Sequence, residues 1–219
     1  MKVFIDFDDV LFYSKKFIQD EKKIFRKYKI SEELFQKHYY QYRKDKKGNL
    51  IRIYDLKKQL RGIKKEKKMD IEPIRKELEA FLKNTRKYIF NDVENFLKKF
   101  EKKNLFIISY SKTDFQKNKI KNSGISKYFK KIIITDEKKF KVLKRIIDTE
   151  KIKEEEIFFL EDRVDYIVGV KNEIPWVKTI LMRRPQGRYK DEVLACCDFR
   201  IKNLKEAEKI INKCLRKGR

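Results

Sequence analysis

Asp6, Asp8 and Asp9 stand within four residues near the start of the chain, and a second acidic group, Glu161, Asp162 and Asp165, stands far along it. Each group directly follows a short apolar run, KVFI in the first case and IFFL in the second. Ser109 and Ser111 follow a third run of the same kind, LFII. Carboxylates can act as nucleophiles, exchange protons with a reacting group, or supply oxygen ligands to a hard cation. Taken singly, each of these residues is an ordinary turn residue at the end of a strand. Brought together they would repel one another, and an all-oxygen cluster of that kind suits Mg²⁺, which takes one or two carboxylates together with substrate phosphate. Other chemistries lack their parts. With one histidine in the chain, His38, a histidine-based metal site or a Ser-His-Asp triad is close to excluded. The three cysteines, Cys196, Cys197 and Cys214, match no disulfide framework and no zinc spacing, and fit a reducing, cytoplasmic setting.

Positioning these groups requires strands that end beside one another. Runs of strand length occur at residues 2–7, 105–109, 132–135, 157–160 and 177–182, with Phe199 and Ile201 marking a sixth. Their unbroken β-branched and aromatic character fits strands buried on both faces of a parallel sheet. Helical spacing separates them: Val93, Phe96, Leu97 and Phe100 behind Asn91 as N-cap, then Leu143, Ile146 and Ile147, then Leu204, Ala207, Ile210 and Ile211. The alternation predicts an α/β fold, a Rossmann-like parallel sheet whose ligands meet the carboxyl ends of the strands. Residues 13–92 break the alternation. Phe17, Ile18, Ile24, Phe25 and Tyr28 form one helical stripe; Leu34, Phe35, Tyr39 and Tyr42 form another; Ile71, Ile74, Leu78, Phe81 and Leu82 form a third. Lys47-Gly48-Asn49 marks a turn. The expected organisation is a core of residues 1–12 and 93–219 carrying a helical insertion of residues 13–92.

KVFIDFDDVLF resembles the first motif of the haloacid dehalogenase-like superfamily, an apolar strand leading into Asp-x-Asp. LFIIS resembles its second motif, IFFLEDRVD its fourth, and YIFNDVENFLKKFEKKN and NSGISKYFKKIIIT its connecting passages. The resemblance covers residues 1–11 and 88–219 and leaves 13–92 as the variable cap. It implies a Mg²⁺-dependent phosphatase acting on a phosphorylated small molecule. By that resemblance Asp6 is the nucleophile that forms an aspartyl-phosphate, Asp8 the general acid and base, and Ser109 the holder of a phosphoryl oxygen. Lys139, chosen over Lys138 and Lys141, offsets the phosphate charge. The metal ligands it implies are Asp6, Asp8 and Asp162, with Glu161 as the alternative. Members that cleave carbon–halogen bonds resemble Asp-x-Asp less well, and a phosphomutase would use the same residues. The sequence departs from the family at Asp9, where a glycine is usual.

Charge supplies a second expectation. Lysine and arginine total 59 against 34 acidic residues, a net +25, and residues 13–92 alone hold 25 basic against 12 acidic residues. A lysine-rich composition accounts for part of this excess; contact between the basic insertion and nucleic acid would account for the rest. Arg43, Lys44, Lys46, Lys47 and Arg52, with Lys64, Lys65, Lys67 and Lys68, are its candidates, and Tyr39, Tyr40 and Tyr42 could stack on bases. Arg183, Arg184 and Arg188 read as a solvated loop. No apolar stretch reaches the roughly 18 residues of a membrane span. Oligomeric state is left open.

Overall fold

The computed structural model describes residues 1–39, 41–44, 50–111, 113–152, 157–189 and 197–217. In chain order the elements are β1 (Lys2–Ile5), α1 (Ser14–Lys27), α2 (Glu32–Tyr39), β2 (Gln41–Lys44), β3 (Leu50–Ile53), α3 (Leu56–Lys67) and α4 (Glu72–Lys83). They continue with α5 (Val93–Leu97), β4 (Leu105–Tyr110), α6 (Asp114–Asn122), β5 (Lys131–Thr135) and α7 (Lys139–Glu150). Then follow β6 (Ile157–Glu161), α8 (Val164–Glu173), β7 (Lys178–Met182), β8 (Phe199–Ile201) and α9 (Leu204–Lys217). Six strands form one parallel sheet in the order β5-β4-β1-β6-β7-β8. This is the α/β, Rossmann-like fold that the alternating pattern predicts.

The continuous apolar runs are explained by what covers the sheet. Val3, Ile5, Leu105, Ile107, Phe158 and Leu160 project to one face and pack with Val93, Leu97, Leu204 and Ile211 of α5 and α9. Their neighbours Phe4, Phe106, Ile108 and Phe159 project to the other and meet Val142, Leu143, Ile167 and Val170 of α7 and α8. Side chains alternate along a strand, so only a sheet covered on both faces makes every position apolar. Phe4 and Phe106 stack across β1 and β4 with centroids 4.7 Å apart. β1 is paired with β4 on one side and β6 on the other, so the chain leaves in opposite directions from its two neighbours. That reversal opens a crevice above the carboxyl end of β1.

Between β1 and β4 the chain builds four helices around a separate cluster: Phe25 from α1, Phe35 from α2, Leu60 and Ile63 from α3, Ile74 and Leu78 from α4. An all-helical reading of this stretch needs correction. α2 ends at Tyr39, and Gln41–Lys44 pairs antiparallel with Leu50–Ile53, Tyr42 opposite Arg52. Tyr42 therefore lies on a strand, 63% exposed, and adds nothing to the helical stripe. Gln41 closes the base of the hairpin by donating to the carbonyls of His38 and Asp55, each at 2.9 Å. The expected turn at Lys47-Gly48-Asn49 and Tyr40 lie outside the described residues. α3 has no counterpart in the predicted stripes; Asp55 caps it by accepting from Lys58 N at 3.2 Å. Lys64, Lys65 and Lys67 occupy its last turn, and Lys68 caps it. α2 crosses α3 at Gly62, where a Cβ would stand 2.2 Å from His38 Nδ1. His38 thus packs on a helix and bonds Glu66 at 2.8 Å.

Two smaller expectations also change. α5 stops at Leu97, short of Phe100, and its N-cap is Asp92 rather than Asn91. The Asp92 carboxylate makes no cap bond of its own helix; it accepts from Arg184 at 2.8 and 3.1 Å and from Leu204 N at 2.8 Å. Trp176 packs partly buried against the α7–α8 side of the sheet. Among the described residues no helix is long and apolar enough to cross a membrane. Cys214 is a free thiol.

Candidate active site

The ends of β1, β4 and β6 and the start of α7 converge in the crevice. Asp6, the first residue past β1, donates its backbone N–H to Leu160 O of β6 at 2.9 Å and so stays in register with the sheet. Ser109 sits near the end of β4, Glu161 closes β6, and Asp162 follows it. All four are buried. Of the three candidate lysines, Lys138 and Lys141 are exposed, whereas Lys139 is 1% exposed. Its ammonium bridges Asp6 Oδ1 at 2.5 Å and Glu161 Oε2 at 2.7 Å. Burial works against a charge on Lys139, but the two carboxylates outweigh it and hold its pKa above the ordinary lysine range.

Asp6, Glu161 and Asp162 each offer a carboxylate oxygen within 4.8 Å of the others. Lys139 pairs with two of the three acids, so ionising all three would leave an excess of negative charge. Burial raises the pKa of Asp6 to about 7; Lys139 opposes the rise, and Glu161 and Asp8 add to it. Asp162 is raised well above the usual carboxylate range, by burial first and then by Glu161 and Asp6. The oxygens differ in what they already hold. Glu161 spends Oε2 on Lys139 and Oε1 on the backbone N–H groups of Asp162 and Arg163, at 3.1 and 3.2 Å. Asp162 Oδ2 is buried without a hydrogen-bond partner. An orphaned carboxylate oxygen in an acid-rich, all-oxygen group is what a bound divalent cation would satisfy, so these residues fit one.

Asp8 belongs to a different network. Its carboxylate accepts from Ser14 Oγ at 2.5 Å, Lys119 Nζ at 2.7 Å and Gln116 Nε2 at 2.7 Å. Gln116 also donates to Ser109 Oγ at 2.8 Å, tying the second acid to the serine of β4. Burial alone would raise the pKa of Asp8, but Lys119 and Arg188 hold it well below the carboxylate range. The Asp8 side chain stands outside the Asp6–Glu161–Asp162 group, unlike the ligand set expected from the sequence. Asp165 is also outside it, on the exposed start of α8, paired with Arg163 at 2.7 Å.

Lys119 and Gln116 carry no sequence motif. Lys119 is 6% exposed, with its ammonium 4.9 Å from the Phe12 ring centroid and 5.7 Å from that of Phe17. Both lie on the face of α6 that buries Ile120, three and four residues apart. That spacing was the available signal, hidden by the abundance of lysine.

The loop after β7 is anchored rather than solvated. Arg184, 6% exposed, donates to Val10 O at 2.9 Å, pairs with Asp92 and lies over Phe90. Arg183 donates to Asp162 O. Arg188 pairs through Nε with Asp9 Oδ2 at 2.5 Å. Asp9 has φ 55°, the left-handed conformation in which a glycine would be usual. Aspartate tolerates that conformation better than most residues, and here its carboxylate also receives Arg188 and Ser14 N.

A Rossmann-like sheet with acids at the ends of two adjacent strands, a serine on a third and a buried lysine defines a hydrolase-type α/β site. The sequence profile of the haloacid dehalogenase-like hydrolases matches residues 3–177, and the chain belongs to that family. A search by sequence among curated proteins finds no match. Solved structures share the fold. A haloacid dehalogenase-like hydrolase of Burkholderia xenovorans aligns at TM-score 0.70 and 14% identity over 97% of each chain. The assigned beta-phosphoglucomutase of Thermotoga maritima aligns at 0.61 and 12%, covering 97% of this chain and 99% of its own. A hydrolase of the family from Bacillus subtilis, in a magnesium-bound form, aligns at 0.58 and 13%, covering 96% and 98%.

Proposed function

We infer that this hydrolase is a Mg²⁺-dependent phosphatase acting on a phosphorylated small molecule, with residues 13–92 as its cap. The observation that carries the reading is Asp8: a second carboxylate opens into the same cavity as Asp6 and is joined through Gln116 to Ser109. A halide leaves without a proton, whereas the alkoxide oxygen of a phosphoester needs one as it departs. Asp6 attacks phosphorus, its oxygen–phosphorus bond forming as the bond to the leaving oxygen breaks. Water then displaces Asp6 from the aspartyl-phosphate and releases inorganic phosphate. Lys139 orients Asp6 and offsets charge on the transferring group. Ser109 holds a phosphoryl oxygen. Asp8 exchanges a proton with the leaving oxygen and then with water. Lys119 and Arg188 hold it ionised at rest, so the proton it passes to the leaving oxygen enters with the phosphate monoanion, and the one it takes from water departs with the released phosphate. Mg²⁺, the ion bound in the Bacillus subtilis relative, would be held by Asp6 and Asp162 and neutralise charge on the phosphoryl oxygens.

Release of phosphate from p-nitrophenyl phosphate tests this. Activity should require Mg²⁺ and fall by at least about 10³-fold in Asp6→Asn, since removing a nucleophile costs several orders of magnitude. Full activity in that variant or in a chelator overturns the reading. A second reading, contact with nucleic acid, is favoured by Lys64, Lys65, Lys67 and Lys68, exposed together at the end of α3. It calls for oligonucleotide binding that weakens steeply with salt.

A further inference from the structure

We propose that the leaving group of the substrate is a single planar ring, selected by Tyr54 and Phe115. The proposal rests on the phosphatase reading and concerns only the group that departs. Its ground is the wall of the cavity above the acids. Phe115 of α6 meets Tyr54, just before α3, edge to face with centroids 4.7 Å apart and planes at 80°. Phe17 of α1 lies beyond Phe115, and Tyr39 packs on Tyr54 at 4.6 Å. Also lining the cavity, the Arg163 guanidinium lies 4.6 Å from the Tyr166 centroid and 5.5 Å from that of Tyr189. All of these side chains line one cavity with Asp6 and Asp8.

Polar groups line it as well, and the protein itself engages several of them. Tyr54 turns its hydroxyl away to Glu21 at 2.7 Å and Gln59 at 3.0 Å, leaving ring carbon to face the cavity. Thr113 Oγ1 donates to Tyr54 O at 3.0 Å, and Ser111 Oγ accepts from Thr113 N at 3.2 Å. Ser14 and Lys119 serve Asp8, and Arg188 Nε serves Asp9. The hydroxyls of a sugar would each need a partner here, and a buried hydroxyl without one is costly. A ring asks for faces, edges and a guanidinium plane, which these walls present. The volume, about 230 Å³, lies below the range of roughly 300–1,000 Å³ for pockets that hold drug-sized ligands, so one ring fits better than a larger system.

The test compares benzyl phosphate with ethyl phosphate, glucose 6-phosphate and a nucleoside 5′-monophosphate, all with Mg²⁺. Each leaves through an oxygen on saturated carbon, so leaving-group acidity does not imitate recognition. Benzyl phosphate should exceed the others in kcat/KM by about tenfold or more, in line with stacking contributions. Tyr54→Leu and Phe115→Leu should each lower the benzyl-to-ethyl ratio about tenfold, chiefly through KM, while Tyr54→Phe, which keeps the ring, should preserve it. A preference for glucose 6-phosphate, or a ratio unmoved in both leucine variants, overturns the proposal and leaves the phosphatase reading standing. Absence of turnover with every ester, p-nitrophenyl phosphate included, overturns both.

Discussion

The sheet crevice and the inserted helices both bury carboxylates whose pKa is pushed to about 7, Asp6 in the first and Glu21 in the second. Burial is the leading cause in each, but the surroundings differ. Asp6 stands among Glu161 and Asp162 with Lys139 at 2.5 Å, so its environment is rich in opposed charges. Glu21, 1% exposed, has the Tyr54 hydroxyl on Oε1 and no hydrogen-bond partner on Oε2. Lysines 22 and 119 act on it only at longer range. The same displacement therefore calls for different remedies. In the crevice a cation relieves the strain of like charges; in the insert only a proton does.

The sharpest way to break this contrast is Lys139→Met. It leaves Asp6 and Glu161 buried without their ammonium, and breaking a buried pair in that way costs about 3–5 kcal/mol. Urea unfolding should show the loss, and a variant as stable as the parent would mean that the acids are already neutral. Next in size is the response to Mg²⁺. At about 100 times its dissociation constant a bound ion adds about 2.7 kcal/mol, visible as a raised Tm without any assay of activity. Asp162→Asn should abolish the shift, whereas Glu21→Gln should leave it intact; a shift that survives Asp162→Asn places the ion elsewhere.

Glu21→Gln itself gives the smallest effect and depends on pH. With the native pKa above the unfolded value of 4.5, the folded state holds a proton that the unfolded chain gives up. Stability is then full below pH 4.5 and declines as pH rises to about 7, where the loss is complete. Glutamine keeps the acceptor for Tyr54 without a charge, so the variant should match the parent near pH 4.5 and exceed it at pH 8 by on the order of 2 kcal/mol. Parallel pH profiles for the two proteins would show Glu21 to be ionised in the fold.

Legibility followed the same divide. KVFI, LFII and IFFL announced doubly covered strands because consecutive positions were apolar, with Lys2 alone breaking the pattern, and the acids and serine after them were visible as strand-end residues. Choosing Lys139 over Lys138 and Lys141 needed coordinates, since burial separates three lysines that sequence makes equivalent. Lys119 was hidden for the same reason, as was the role of Arg188, which reaches Asp9 across 179 positions only because Arg184 pins its loop. In the insert, α3 is masked by its lysines, and Tyr42, which sequence spacing places on the helical stripe of Leu34, Phe35 and Tyr39, lies on a strand. There, weak local preferences are settled by whichever partner the segment finds.

Composition and periodicity thus determined the sheet, its double cover and the strand ends at which chemistry could occur, because those features follow from local geometry and solvent exclusion. Tertiary structure decided which of many similar side chains meet. It put one lysine between Asp6 and Glu161, another against Asp8, and left one oxygen of Asp162 without a partner. Charge in a chain with 59 basic residues is uninformative until burial removes water from a few of them. Only folding does that, because the desolvation that turns an ordinary lysine or carboxylate into a functional one is a property of its neighbours in space.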